Sequence, residues 1–483
     1  MDLSVVVLAA GQGTRMKSPL PKVLHPIGGK PMLAHVINTA KSLNPAQIII
    51  VHGFEGDLVK QTFHQSDLKW VEQPQRLGTG DAVSKALPFI PEHHRILTLY
   101  GDVPLITTDT LKRLLTATPQ DSIGLLTVIA ADPTGLGRII RNNKASVERI
   151  VEERDANDIE RQIHEVNTGI FVVKQNLLKK WLPSLKNTNA TGEYYLTDII
   201  QMAAAEQLPV VTSVPSVIEE VLGVNDKSQQ VIAERYYQRH LAENLLRDGV
   251  CITDPARFDL RGSLTAEPDV VIDVNVVMEG KITIKKNSRI GPNCILINCN
   301  IGENVCILAN SYLEDVTIGD NCAIGPFARL RPGTTLDEAV QVGNFVEIKN
   351  SHIGKGSKIS HLSYIGDTQM GKSVNVGAGT ITCNYDGANK YKTIVEDNVF
   401  IGSDTQLIAP VTIGKNATIA AGSTISKNAP AYKLTMSHQL VQRTVDDWQR
   451  PIKSSVGTSS LGNKHLDQSV KSSPELSKEV KSK

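Results

Sequence analysis

The chain has 483 residues, 41% of them hydrophobic, enough to bury a large core, and its length alone predicts two or three domains. A formal net charge of +1 and an aromatic content of 4% argue against nucleic-acid binding through bulk charge or base-stacking platforms. The six cysteines (Cys251, Cys294, Cys299, Cys306, Cys322 and Cys383) form no C-x-x-C pair, so they read as packing residues of a reducing compartment rather than a zinc or redox site.

The first element is the aliphatic run Val5 to Leu8, the pattern of a strand buried on both faces of a parallel sheet. It leads into "LAAGQGTRM", residues 8 to 16. The small residues Ala9, Ala10, Gly11 and Gly13 let backbone N–H groups approach a phosphate closely. A dinucleotide fingerprint and a Walker A loop would both need glycine where Met16 stands, so neither applies. What remains is a glycine turn followed by two cations, Arg15 and Lys22, which suits a polyphosphate; the competing reading is a plain tight turn between strand and helix. The stretch lacks the basic flank and the apolar length of a secretory signal, and no segment approaches the roughly 20 apolar residues of a membrane span. A cytosolic protein is the expectation.

Strand-like segments at 47–53, 95–105 and 123–130 alternate with helix-like ones, which predicts an α/β domain with a mainly parallel sheet. Residues 226 to 247 contain neither proline nor glycine and predict one long helix, ended by Gly249. The texture then changes. Ile-Gly or Val-Gly pairs begin at Ile290, Ile301, Ile318, Ile324, Val342, Ile353, Ile365, Val376, Ile401 and Ile413, at intervals near multiples of six. A small residue often stands four places on, as at Cys294, Cys322, Ser357 and Ala417. This hexapeptide repeat specifies a parallel β-helix, with the aliphatics inward and glycine expected to permit tight corners. The gap between Val376 and Ile401, containing "CNYDGANKYK", predicts a loop thrown out of the coil, where function tends to collect. The Ser/Lys-rich stretch beyond Trp448 is expected to be disordered.

"LAAGQGTRM" followed by "PLPKVLHPIGGKPM" resembles the start of sugar-1-phosphate nucleotidylyltransferases. Joined to a hexapeptide β-helix, the chain from about residue 3 to 450 resembles the bacterial bifunctional N-acetylglucosamine-1-phosphate uridylyltransferase/glucosamine-1-phosphate N-acetyltransferase family. The resemblance implies a Rossmann-like uridylyltransferase domain (1–225), a linker helix (226–248), a left-handed β-helix acetyltransferase domain (249–450) and a tail (451–483). It also implies a homotrimer, with UTP, acetyl-CoA, glucosamine 1-phosphate and N-acetylglucosamine 1-phosphate as substrates.

Matched residue by residue, the resemblance assigns Leu8, Ala9, Ala10, Gly11 and Lys22 to the nucleotide loop, and Gln73, Gly78 and Thr79 to the base. Tyr100, Gly101 and Asp102 stand at a strand's end, and Gly137, Glu152 and Asn167 on the sugar-phosphate side. Asn225 joins Asp102 to hold Mg²⁺, an ion that favours oxygen ligands. Lys22 and Arg15 would stabilise the departing pyrophosphate; the plain alternative for Asp102 is a turn-capping carboxylate. In the second half the resemblance assigns Arg331, Lys349, Tyr364 and Asn375 to glucosamine 1-phosphate and His361 to the general base, although a lone histidine on such a coil is usually a surface residue. Ala378, Asn384, Tyr385, Ser403 and Ala421 match acetyl-CoA contacts. The pattern departs at His438, where the family usually carries arginine; Arg443 is the candidate to compensate. Two other functions fit less well: a single-function nucleotidylyltransferase with a structural or regulatory β-helix, and a non-enzymatic subunit that binds sugar nucleotides. His361, Lys349, Asn384 and Tyr385 weigh against the first, and the Asp102–Asn225 pair against the second.

Overall fold

A computed structural model describes residues 2–63 and 66–437. His438, Arg443 and the expected disordered tail lie outside the described residues.

The N-terminal half is built on a sheet whose main strands are Leu3–Ala9 (β1), Gln47–His52 (β2), Leu68–Glu72 (β3), Arg95–Tyr100 (β4), Ile123–Ile129 (β5), Glu165–Lys174 (β6) and Val210–Ser213 (β7). Their order is β7-β5-β6-β4-β1-β2-β3. The ladders of β1 with β2 and β4, of β2 with β3 and of β5 with β7 are parallel, whereas β6 runs against both β4 and β5. Among these seven strands the expected mainly parallel sheet therefore carries one reversed strand. In β1 the aliphatics Val5, Val6 and Val7 are all fully buried, as a strand covered on both faces requires. The register of β6 slips between Asn167 and Phe171, and Gly169 takes a φ of +79° there. Such bulges re-aim side chains beside active sites, and this one faces Tyr100, just past which Asp102 stands.

The helix Lys227–Arg247 begins at Asp226, whose carboxylate accepts from the Gln229 N–H at 2.8 Å, and is followed by Gly249 at φ +90°. Few of its residues are buried, so its own packing does little to hold it. It is tied at both sides instead. The Gly28 N–H donates to Glu234 at 2.8 Å, and the Gln238 side chain exchanges two 2.8 Å hydrogen bonds with the backbone of Leu260.

From Cys251 to Thr435 the chain winds as a left-handed parallel β-helix of short strands. All ten repeat aliphatics are at least 96% buried, as are Cys294, Cys322, Ser357 and Ala417. Equivalent residues of successive coils lie 17 or 18 apart, as in the hydrogen bonds from Asn287 to Asn304 and from Asn275 to Asn293. Across the predicted loop the spacing is 25, from Lys372 to Asp397, because residues 384–392 leave the coil.

The corners are turned by asparagine as well as by the expected glycine. Asn287, Asn293, Asn304, Asn310 and Asn321 turn them in the left-handed region, where a short polar side chain is tolerated. Gly333, Gly356, Gly379 and Gly422 turn others at φ of +70° to +80°, as expected of glycine, whereas most glycines of the Ile-Gly and Val-Gly pairs serve close approach. A Cβ at Gly343 would lie 1.8 Å from the carbonyl oxygen of Ser360, and one at Gly377 2.5 Å from the nitrogen of Ser403.

Candidate active sites

Parallel sheets gather ligands at the carboxyl ends of their strands, and the first site forms there. The turn after β1, the loop after β3 and the end of β4 enclose a cavity of about 510 Å³. Leu8, Ala9, Ala10, Gly11, Lys22, Gln73, Gly78, Thr79, Tyr100 and Asp102 all line it. Gly101 lies behind, its N–H bonded to Leu8 at 2.9 Å; a Cβ there would meet Val23, Ala9 and Leu33. Arg15 is exposed and is not part of the lining.

Gln73 is buried and gives both amide protons to protein, one to the Gly78 carbonyl at 3.1 Å and one to Asp81 at 2.8 Å. Its carbonyl oxygen is left as the atom that can accept from a ligand. Arg76 and Gln12, joined at 2.7 Å, and Glu193 complete the lining. Sequence reasoning missed these three, although Arg76 sits inside the segment singled out for the base.

At the floor of the cavity Lys22 forms an ion pair with Asp102 and donates to Asn225 Oδ1 at 3.1 Å. The ammonium stands in for a cation, and two oxygens of different chain segments converge on it. A carboxylate and an amide oxygen are the ligand types a hard divalent metal prefers, so the residues present fit one. Asn225 is itself held: its N–H donates to Gln229 Oε1 at 2.7 Å, one turn into the long helix.

Tyr100 lines this cavity and feels the charge of Glu152, which lines a neighbouring one. Its ring lies against Gly169, where a Cβ would come within 2.4 Å of it. Burial, reinforced by the charges of Glu152 and Asp102, pushes its phenol well above the usual range, so it stays protonated. The second cavity, about 560 Å³, is lined by Glu152, Tyr195 and Asp198 among others. Gly137 faces the Glu152 carboxylate, 3.3 Å from where its Cβ would be, and its carbonyl accepts from the Asn167 N–H at 2.8 Å. Burial raises the Glu152 carboxyl, against a 3.2 Å hydrogen bond from Thr197 that lowers it. Gly137, Glu152 and Asn167 are thus brought together beside Tyr100. Tyr195 and Thr197 were not foreseen; no local pattern marks them.

The second site is written on the coil as columns. Asn344 and His361 are register partners, with Asn344 Oδ1 3.2 Å from His361 Nδ1. Val376, Ile401 and Ile419 continue that ladder, so Ala378, Ser403 and Ala421, each two residues further, fall in the same column as His361. Gly377 and Gly402 keep its floor flat, since a Cβ at either would lie 2.5 Å from the next backbone nitrogen.

Round the corner at Leu362 is the face that carries Tyr364. Arg331 and Lys349 are neighbours on it, their strands being in register at Leu330 and Ile348. Arg331 pairs with Glu347 at 2.8 Å. Lys349 meets Lys390 from the extruded loop, and this second ammonium, with some burial, holds the Lys349 pKa below its ordinary value. Two ammonium groups that press on one another make a place for a dianion. Lys390 was missed by residue although its loop was singled out. Asn384 donates to Asp367, beside Gly366 and Tyr364; Tyr385 is exposed and donates to the Gly387 carbonyl. Asn375 is half-buried between its register partners Lys358 and Phe400.

Comparison with known proteins agrees with both halves. Residues 5–164 match the MobA-like NTP transferase domain, 260–342 the GMPPB C-terminal domain and 392–427 the bacterial transferase hexapeptide (six repeats). The chain is 52% identical to the bifunctional protein GlmU of Azoarcus sp. (strain BH72) over 451 residues, which is 93% of this chain and 100% of that protein. It is also 52% identical to the protein of that name from Ralstonia nicotianae, covering 93% of this chain and 99% of the relative. A solved nucleotidyl transferase from Methanothermobacter thermautotroptrophicus aligns at 18% identity and a TM-score of 0.36, over 50% of this chain and 99% of its own. The nucleotide-type cavity, the hexapeptide coil and near full-length identity to these relatives together establish that the chain belongs to the bifunctional GlmU family.

Proposed function

We propose that the N-terminal cavity transfers UMP from UTP to N-acetylglucosamine 1-phosphate, and that the coil face acetylates glucosamine 1-phosphate with acetyl-CoA. The chain is a transferase of two activities, a nucleotidyltransferase joined to a hexapeptide acyltransferase. The observation that carries the residue-level reading is the Lys22 ammonium gripped by Asp102 and Asn225 at the floor of the glycine-loop cavity. These two oxygens would hold a divalent metal, which we take to be Mg²⁺; when bound it supplies charge neutralisation at the phosphates.

The sugar phosphate is already a nucleophile, so the site needs alignment more than a base. Its oxygen attacks the α-phosphorus of UTP and pyrophosphate leaves. Backbone N–H groups of Ala9 to Gly11 hold phosphate oxygens, and Lys22 offsets charge on the leaving group. The Gln73 carbonyl accepts from the N3–H of uracil. Glu152, Asn167 and the Gly137 backbone receive the sugar. Arg15, exposed in this state, would join only by swinging inward. On the coil, Lys349, Lys390 and Arg331 hold the phosphate of glucosamine 1-phosphate, and Tyr364 and Asn375 its sugar. The amine attacks the thioester carbonyl, His361 takes the amine proton, and the CoA thiolate leaves. The column of Ala378, Ser403 and Ala421 gives the pantetheine arm a shallow track, with Asn384 and Tyr385 at its side.

A homotrimer fits the exposed corner of the coil. Phe327, Phe345 and Leu362 are 48%, 55% and 62% exposed there, with the two rings stacked 5.4 Å apart, although each takes a positive φ that bulky residues avoid. Sedimentation of the active enzyme as a monomer would overturn that assembly. No helix among the described residues is long and apolar enough to cross a membrane. We place the enzyme in the cytoplasm on the reading of its substrates as UTP and acetyl-CoA.

The test is a reaction with glucosamine 1-phosphate, acetyl-CoA, UTP and Mg²⁺ in which free thiol and pyrophosphate are followed separately. Both signals are expected. Pyrophosphate from supplied N-acetylglucosamine 1-phosphate without thiol release would favour the single-function alternative.

A further inference from the structure

The strands that carry the uridylyl-transfer residues at one end hold a second polar cluster at the other. Asp2 precedes β1, while His93 and His94 precede β4. The two strands pair with Leu3 opposite Arg95, and the Arg95 N–H donates to the Asp2 carbonyl at 3.1 Å, so the three residues are fixed to adjacent strands. Asp2 Oδ2 lies 3.1 Å from His93 Nε2 and 3.8 Å from His94 Nε2, and all three ligand atoms lie within 4.8 Å of one another.

His94 is the ordered member. It is 6% exposed, and its Nδ1 lies 2.8 Å from the hydroxyl of fully buried Ser4, which in turn accepts from Gln47 at 3.1 Å. This is the outer hydrogen bond that orients a metal-binding imidazole and leaves Nε2 to face the ligand. His93 packs edge-on against the His94 ring at 4.7 Å, and as an exposed side chain it can rotate to close the triangle. Metal–ligand bonds near 2.0–2.1 Å in a tetrahedron separate ligand atoms by roughly 3.3 Å, near the 3.1 Å from Asp2 to His93 and the 3.8 Å from Asp2 to His94.

We propose that Asp2, His93 and His94 form a binding site for zinc or a similar borderline first-row divalent ion, separate from the oxygen-ligand site at Asp102 and Asn225. Two imidazoles select against Mg²⁺, which favours oxygen, and three protein ligands leave a fourth position to water. Bound metal would staple Asp2 to the entrance of β4 and stabilise the sheet by mass action.

The experiment uses the full chain without an affinity tag, stripped with chelator and then supplied with excess Mg²⁺. Zinc uptake is measured by competition with a chromophoric chelator, and thermal unfolding is followed with and without zinc. One zinc per chain is expected, with a rise in melting temperature. His93→Ala and Asp2→Asn, both exposed changes that should leave the fold intact, are expected to weaken zinc at least tenfold and to abolish that rise. Equal uptake by wild type and both variants would overturn the proposal, since the metal would then sit elsewhere, for example at exposed Cys251. Absence of uptake by the wild type would overturn it too.

Discussion

The two sites differ in how the fold assembles them. Lys22 meets Asp102 across 80 residues and Asn225 across 203, so the first depends on loops at strand ends and on the start of the long helix. His361 meets Asn344 across 17, the height of one coil, and its column repeats at that interval. One site is a half-open cavity whose parts come from far along the chain. The other is a line on a rigid surface, legible coil by coil and open to solvent in a single chain. The loop arrangement allows adjustment around a polyphosphate, and the coil fixes positions that a long, extended cofactor can follow.

The comparison breaks most visibly if the sites are not independent. Asp102→Asn removes the charge of the cation site and is expected to lower uridylyl transfer about 10³-fold while leaving acetyl transfer within twofold. His361→Ala is expected to do the reverse, with a loss of about 10²–10⁴-fold in acetyl transfer. Separate thiol and pyrophosphate assays check both. If either folded variant lost both activities, the assignment of one chemistry to each half would fail.

The next effect tests the rigidity of the coil. Gly343→Ala would set a methyl 1.8 Å from the Ser360 carbonyl oxygen, one coil away and next to His361. Two backbones cannot separate without disturbing the ladder, so a loss of about 1–3 kcal/mol is expected, seen in thermal unfolding. Acetyl transfer should fall with it and uridylyl transfer persist. An unchanged melting temperature would mean that the coils are more compliant than their spacing implies.

This contrast also explains what could be read in advance. The hexapeptide aliphatics announced the coil because each repeat sets its own inward residue, and all ten are buried. The run at Val5 and the proline-free stretch ahead of Gly249 were legible for the same local reason. Glycine was ambiguous, since close packing between coils and left-handed corners both favour it, and only the folded coil separates the role of Gly343 from that of Gly379. Tyr195 and Arg76 enter the N-terminal cavities, and Thr197 meets Glu152, through tertiary packing that no spacing encodes. Lys390 was hidden differently: one cation among several in an irregular loop, it gains meaning only where it meets Lys349. Family resemblance supplied most of the site residues, while Arg15, read from the cations beyond the glycine turn, stands outside the cavity lining.

Lys390 offers the third test. With Lys390→Ala the phosphate loses one charge-assisted partner while His361 and its column stay intact. KM for glucosamine 1-phosphate is expected to rise about tenfold with a smaller change in kcat. The Lys349 ammonium, no longer pressed by a like charge, should titrate higher. An unchanged KM would return Lys390 to the solvent-exposed loop and leave Arg331 and Lys349 alone to hold the phosphate.

The smallest effect concerns the cost of the N-terminal cavity to its own fold. Burial raises the Glu152 carboxyl above its ordinary value, so the native protein binds that proton more tightly than the unfolded chain does. The associated stability is fully present below the unfolded carboxylate range and is lost as pH rises through the raised native value. Where the side chain is charged, its burial therefore works against folding. Glu152→Gln keeps the shape and an acceptor for Thr197 but removes the charge. The variant is expected to melt slightly above the parent at pH 7, with the difference shrinking toward pH 4, while uridylyl transfer falls. A variant less stable than the parent at pH 7 would mean that the carboxylate is held by a favourable partner in solution. In that case its charge would belong to the architecture of the cavity and not to the recognition of a sugar.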